Sequence, residues 1–92
     1  MIVSFKCRET LAMFNGNRVA RWRNIEGPAM RKLAMLNRAM SLTDLRIPPN
    51  NKLEALKKDR KGQHSIRVND QFRLCFVWSA AGPSEVEFTD YH

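Results

Sequence analysis

The sequence predicts an α+β fold, with an N-terminal strand and helices packed on one face of a mainly antiparallel sheet. Three observations lead there. Apolar residues recur at helical spacing in the first half of the chain. They recur with a period of two in the second half. Short turn signals separate the second-half segments, as hairpins require. The 92 residues read as one domain, 1–92: no repeat or linker divides them, and a chain of this length supports one modest core.

The elements follow in order. Met1-Ile2-Val3-Ser4-Phe5 is apolar and partly β-branched, and is expected to open the fold as a strand. Glu9–Phe14 can form a short helix with Leu11, Met13 and Phe14 to bury, and Asn15-Gly16-Asn17 ends it. Ile25, Ala29, Leu33, Leu36 and Met40 then form one apolar stripe, which predicts a helix of about four turns with Pro28 in its first turn. Ser41–Leu45 reads as a capped short turn, stopped by Pro48-Pro49-Asn50-Asn51. Strands are expected around Ile66 and Val68, around Phe72, Leu74, Phe76 and Trp78, and around Val86 and Phe88. Asn69-Asp70 and Ala81-Gly82-Pro83 are the predicted turns between them.

Parity fixes the first hairpin further. Its apolar residues are even-numbered on both strands, and residues opposite each other must share a face. A two-residue loop would place Ile66 against Arg73 and mix the faces. A three-residue loop, Asn69-Asp70-Gln71, instead pairs Val68 with Phe72, Ile66 with Leu74 and Arg67 with Arg73. Two arginines directly opposite repel each other. They can grip a phosphate, splay into water, or pair with Asp70 or Glu87. The same parity predicts an odd loop in the next hairpin. Five residues would set Arg73 against Thr89, and three would set it against Tyr91. In either register Tyr91 is expected on the open face beside Arg73. Cations, an aromatic ring and the imidazole of His92 together suit an RNA site.

Charge narrows the function. Sixteen Lys and Arg against nine Asp and Glu leave +7, which favours a polyanionic partner. The cations concentrate in residues 18–38 and 52–73, and residues 79–92 carry acids only. No run approaches the ~18 apolar residues of a membrane span, and Met1–Lys6 does not read as a secretory signal, so a cytoplasmic protein without membrane contact is expected. Cys7 and Cys75 lie far apart and form no metal-binding spacing, so reduced thiols are expected and no metal or cofactor. His64 lies on the apolar parity and reads as a partly buried structural residue; Trp22 and Trp78 read as core or core-edge residues.

Particular residues go beyond pattern. Lys52-Leu53-Glu54-Ala55-Leu56-Lys57-Lys58-Asp59-Arg60-Lys61-Gly62, then Ser65-Ile66-Arg67-Val68, Phe72-Arg73-Leu74 and the ending Asp90-Tyr91-His92 resemble the HigB toxins of the RelE/ParE toxin–antitoxin superfamily. The resemblance implies the RelE/ParE-like fold and a bacterial, metal-independent, ribosome-dependent mRNA endonuclease. It also implies a helix-turn-helix (HigA-like) antitoxin encoded by an adjacent gene. Asp90, Tyr91 and His92 match the family's C-terminal active-site group. Lys57 and Arg73 match its basic site residues, and Arg60 and Arg67 match further basic positions. Lys58 and Lys61 add charge for RNA or ribosome binding. Two positions depart: Glu54 stands where some relatives carry an active-site histidine, and Lys58 where glycine is common.

The chemistry so implied is attack of a ribose 2′-OH on the adjacent phosphate, with expulsion of the 5′-oxygen. Two other functions use the same residues differently. A ParE-like DNA gyrase inhibitor would need the fold but not the Tyr91-His92 ending. A non-catalytic basic nucleic-acid-binding module would not be toxic.

Overall fold

The long apolar stripe does form a helix. In the computed structural model, which describes residues 1–90, it is the second of two α-helices, α1 (Arg8–Phe14) and α2 (Glu26–Arg38). Glu26 and Pro28 occupy its first turn, where an acid complements the helix dipole and a missing N–H costs little. Ala29, Leu33 and Leu36 are fully buried. Each leucine so buried stabilises the fold by roughly 1.5–3 kcal/mol. The helix ends at Arg38 with Ala39 extended, so Met40 falls outside the stripe and is 89% exposed. Before α2, Ala20–Ile25 winds as a 3₁₀ turn that buries Trp22; its sequence carries no periodic signal. In α1, Met13 and Thr10 are buried and Phe14 half-buried, while Leu11 is exposed, contrary to expectation.

After α2 the chain turns twice. Ser41 and Asp44 form a capping box on the 3₁₀ turn Leu42–Arg46. Backbone N–H groups of Met40 and Ser41 donate to Asp44 and hold its carboxyl below the usual range. Pro49–Asn51 is a second 3₁₀ turn rather than a simple stop.

Four strands follow: β1 (Glu54–Ala55), β2 (His64–Arg67), β3 (Arg73–Ser79) and β4 (Gly82–Thr89), antiparallel and adjacent in chain order. Even-numbered Ile66, Leu74, Phe76, Val86 and Phe88 face the helices and are buried with Met13, Leu33, Leu36, Leu45 and Trp22. Phe88 stacks on Phe72 and meets Trp22 edge-on, both at 4.8 Å between ring centroids. Its backbone N–H donates to the buried Thr10 hydroxyl at 3.0 Å, which ties α1 to β4.

The first hairpin has the register that parity demands, with Ile66 opposite Leu74 and Arg67 opposite Arg73. Asn69 closes the loop, its side-chain oxygen accepting from the N–H groups of Gln71 and Phe72. The second hairpin sets Arg73 opposite Thr89 by a different route. Ser79 pairs with Gly82, leaving the two-residue loop Ala80-Ala81, and a bulge between Cys75 and Val77 restores the parity. The extra residue is Glu85, whose φ is +51°. Gly82-Pro83 therefore belong to the strand rather than the turn.

The expected opening strand shrinks to one parallel bridge, Phe5 to Val86. Val3 N–H donates to Pro83 O at 2.7 Å and Lys6 N–H to Val86 O at 3.0 Å, but the left-handed Glu85 between these rungs interrupts a continuous ladder.

Candidate functional site

The sheet face away from the helices carries two cross-strand rows. One is Glu54, Ser65, Cys75 and Glu87; the next is Arg67, Arg73 and Thr89. Ser65 and Cys75 are buried even here, beneath charged side chains. Arg73 lies across Ser65, its Nε donating to Ser65 Oγ at 2.8 Å. One terminal nitrogen donates to the Lys52 carbonyl oxygen at 2.7 Å and sits 3.6 Å from the Glu54 carboxylate. Burial beneath this layer pushes the Cys75 thiol up to about 11.

Each arginine of the opposed pair finds its own acid. Arg67 forms an ion pair with Asp70, and Arg73 with Glu54. Between them opens a polar pocket of about 350 Å³, with Lys52, Arg67 and Arg73 as cations, Glu54 and Asp70 as carboxylates, and Asn69 and Gln71 as amides. Such a wall can hold an anionic, hydrogen-bonding ligand: guanidinium groups match phosphate oxygens two at a time.

The other expected site residues divide into four groups. Asp90, just past β4, accepts from Gln71 Nε2 at 2.9 Å, which joins the end of the described chain to the hairpin loop of the pocket. Lys57, Lys58 and Lys61 are exposed on the loop before β2. Lys58 has φ +57°, the left-handed region that favours glycine. Arg60 lies against the sheet, donating to Glu87 at 3.1 Å and Gln63 at 3.2 Å. Tyr91 and His92, and with them the expectation that Tyr91 reaches Arg73, lie outside the described residues.

Sequence reading missed several participants. Lys52 lines the pocket and Ser65 and Gln71 hold other site residues, yet none is distinctive by type. Lys32, on α2, donates to the buried Asn51 side chain at 2.5 Å. Burial, then the charges of Arg67 and Arg31, lower its pKa. The basic run 18–38 contained that signal; nothing in Pro48-Pro49-Asn50-Asn51 marked Asn51.

Residues 13–92 match the family model described as HigB-like toxin, the RelE-like toxin of type II toxin–antitoxin system HigB. The chain belongs to this HigB-like family. Toxin HigB-1 of Vibrio cholerae serotype O1 (strain ATCC 39315 / El Tor Inaba N16961) is 51% identical over 55 residues, covering 60% of this chain and 58% of the relative. An uncharacterized protein of Haemophilus influenzae (strain ATCC 51907 / DSM 11121 / KW20 / Rd) is 46% identical over 48 residues, covering 52% of this chain and 48% of the relative. The matched segments thus span about half the length of these curated relatives. Among solved structures, a chain of the YoeB–YefM complex from Staphylococcus aureus has the same fold, with TM-score 0.60 at 17% identity over 100% of this chain and 98% of that one. The HigB-like chain therefore has the RelE-like architecture the sequence resemblance implied. No helix among its described residues is long and apolar enough to cross a membrane.

Proposed function

We propose that this HigB-like chain is the toxin of a toxin–antitoxin pair and cuts mRNA on the translating ribosome in the bacterial cytoplasm. Family membership supports the first part, and the pocket geometry supports the second. The observation that carries it is the Arg73 guanidinium, held on one side by Lys52, Ser65 and Glu54 and lining a polar pocket with two other cations. A preorganised donor aimed at developing charge is worth about 10²–10³ in rate.

In this reading the ribose O2′ attacks the neighbouring phosphorus as its proton passes to a base. The P–O5′ bond breaks and the leaving oxygen takes a proton, giving a 2′,3′-cyclic phosphate and a 5′-hydroxyl. Arg73 stabilises the phosphate charge, with Lys57 reaching in from its exposed loop. Glu54, whose carboxylate lies 3.6 Å from Arg73, receives the O2′ proton. His92 donates to the leaving oxygen, because an ordinary imidazole exchanges protons near neutral pH. Asp90 holds that terminus and Tyr91 stacks on a base. Lys58, Arg60, Lys61 and Arg67 supply RNA and ribosome contacts. The natural partner is a helix-turn-helix antitoxin; the solved YoeB neighbour is itself in a complex with YefM. The proposed chemistry uses no metal or cofactor.

The deciding experiment is cleavage of mRNA in a translating extract by the parent and by His92→Gln. The parent should cut translated mRNA, hardly cut free RNA, and be indifferent to EDTA where ribosomes stay intact. His92→Gln should lose at least about 10²-fold in the chemical step with ribosome binding within a few-fold. Equal cutting by the variant, at equal soluble protein, sinks the assignment of His92. Unimpaired translation in the presence of the parent sinks the whole reading.

A further inference from the structure

We propose that Asn51 and the left-handed turn at Lys52 are positioning elements for Arg73, acting through the Lys52 main-chain carbonyl. The proposal rests on the reading of Arg73 as the phosphate-holding group. It adds residues that the sequence marked only as a helix stop and as part of a charged run.

The geometry is a chain of contacts. Arg73 carries five N–H donors in a rigid fork. Its Nε is taken by Ser65 and one terminal nitrogen by the Lys52 carbonyl, while the other terminal nitrogen has no hydrogen-bond partner among the described residues. The fork is therefore fixed along one edge and open along the other, as a phosphate clamp requires. The Lys52 carbonyl can serve this purpose because Lys52 has φ 48° and ψ 53°. An L-residue rarely adopts that conformation unless the surroundings impose it.

Asn51 imposes it. Its side chain is fully buried. Its amide nitrogen donates to the Leu45 carbonyl at 3.1 Å and the Ile47 carbonyl at 3.5 Å and meets the Met35 sulfur at 3.1 Å. Its oxygen accepts from Lys32 on α2 at 2.5 Å. The backbone N–H groups of Asn51 and Lys52 close the turn on Pro48 and Pro49. A buried amide that satisfies four groups on two elements fixes the backbone around it, because each partner would be costly to leave unpaired. The helical layer thus sets where the catalytic arginine points on the far face of the sheet.

Two readings of Lys52 separate cleanly. If its ammonium matters, every substitution that removes the charge acts alike. If its carbonyl matters, the result follows backbone preference. Lys52→Gly keeps the left-handed turn at no steric cost, and Lys52→Val opposes it with a β-branched side chain. In a translating extract Lys52→Val should cut at least about tenfold more slowly than Lys52→Gly, with ribosome binding within twofold between them; misplacements near 1 Å can cost about 10²-fold. Solvent exchange of the Arg73 Nε–H, followed by NMR on the free chain, should be faster in Lys52→Val than in Lys52→Gly and the parent. Should Lys52→Val fail to fold, Lys52→Ala serves in the same comparison. Asn51→Ser, which shortens the side chain and breaks its contacts, should speed the same exchange. Equal cutting and equal exchange in the Gly and Val (or Ala) variants overturn the proposal. If the parent cuts no mRNA, the nuclease reading falls, and the exchange rates alone then decide whether the turn fixes Arg73.

Discussion

Arg67 and Arg73 stand directly opposite each other on adjacent strands, and each turns its guanidinium to a different carboxylate, Asp70 and Glu54. Like charges so placed would destabilise the sheet by a few tenths of a kcal/mol to about 1 kcal/mol. The two acids neutralise them locally and leave a pocket in which the cations are already separated and aimed. Asp70 is almost wholly exposed, so its ion pair adds little to stability and yields readily to a phosphate.

Glu54 is expected to act as more than a counterion. Glu54→Gln should cut mRNA about 10²-fold more slowly in single-turnover measurements in a translating extract, within the range for loss of a general base. Its ribosome affinity should hold or rise, since a negative charge leaves a basic surface. A counterion alone would give the opposite pattern, with cutting unchanged or faster once Arg73 is released.

The loop before β2 offers a test in two directions. Lys58 has a left-handed backbone at φ +57°, which costs an L-residue about 1–2 kcal/mol. Lys58→Gly should leave the unfolding free energy from urea titration unchanged or raise it by up to about 1 kcal/mol, since relief of strain is partly offset by unfolded-chain entropy. Lys57→Glu with Lys58→Glu should weaken ribosome association and flatten its salt dependence, as fewer counterions are released. Unchanged binding of the double variant at low salt would make these lysines bystanders.

Cys75 predicts a pH effect on stability. Burial raises its thiol from an ordinary 9.0 to about 11 in the folded chain. Below pH 9 the thiol is protonated in both states and contributes no pH dependence. Between pH 9 and 11 the unfolded chain loses the proton and the folded chain keeps it, so stability falls as pH rises, by up to about 1.4 kcal/mol per unit. Urea midpoints of the parent and Cys75→Ala, measured from pH 8 to 11, should diverge over that window. Parallel curves would show that the thiol ionises equally in both states.

Much of this architecture is legible in sequence because it depends on side-chain periodicity. The spacing of Ala29, Leu33 and Leu36 locates α2, and the even parity of Ile66, Val68, Phe72 and Leu74 fixes the first hairpin and sets Arg67 against Arg73. Backbone conformation is less visible. Glu85 in a left-handed bulge reduces the opening strand to a bridge, and nothing about a glutamate announces that. β1 has only two residues, too few for a period. The same distinction divides the site. Arg73, Glu54 and Asp90 stand out by residue type and family resemblance, whereas the Lys52 contribution is a carbonyl oxygen, which every residue possesses.

The bulge at Glu85 makes β4 a strand with an expansion joint. Upstream of it Pro83 faces the helices with Trp78; downstream Val86 and Phe88 do, although 83 is odd and 86 is even. The joint takes up one residue, so removing Glu85 would leave every pair from Cys75–Glu87 to Arg73–Thr89 in place. One residue added between Val86 and Thr89 has no such slack. It would turn every later residue to the opposite face and carry Asp90 away from Gln71 and the hairpin loop of the pocket. Beyond the joint, which face each residue takes depends on the number of residues that precede it.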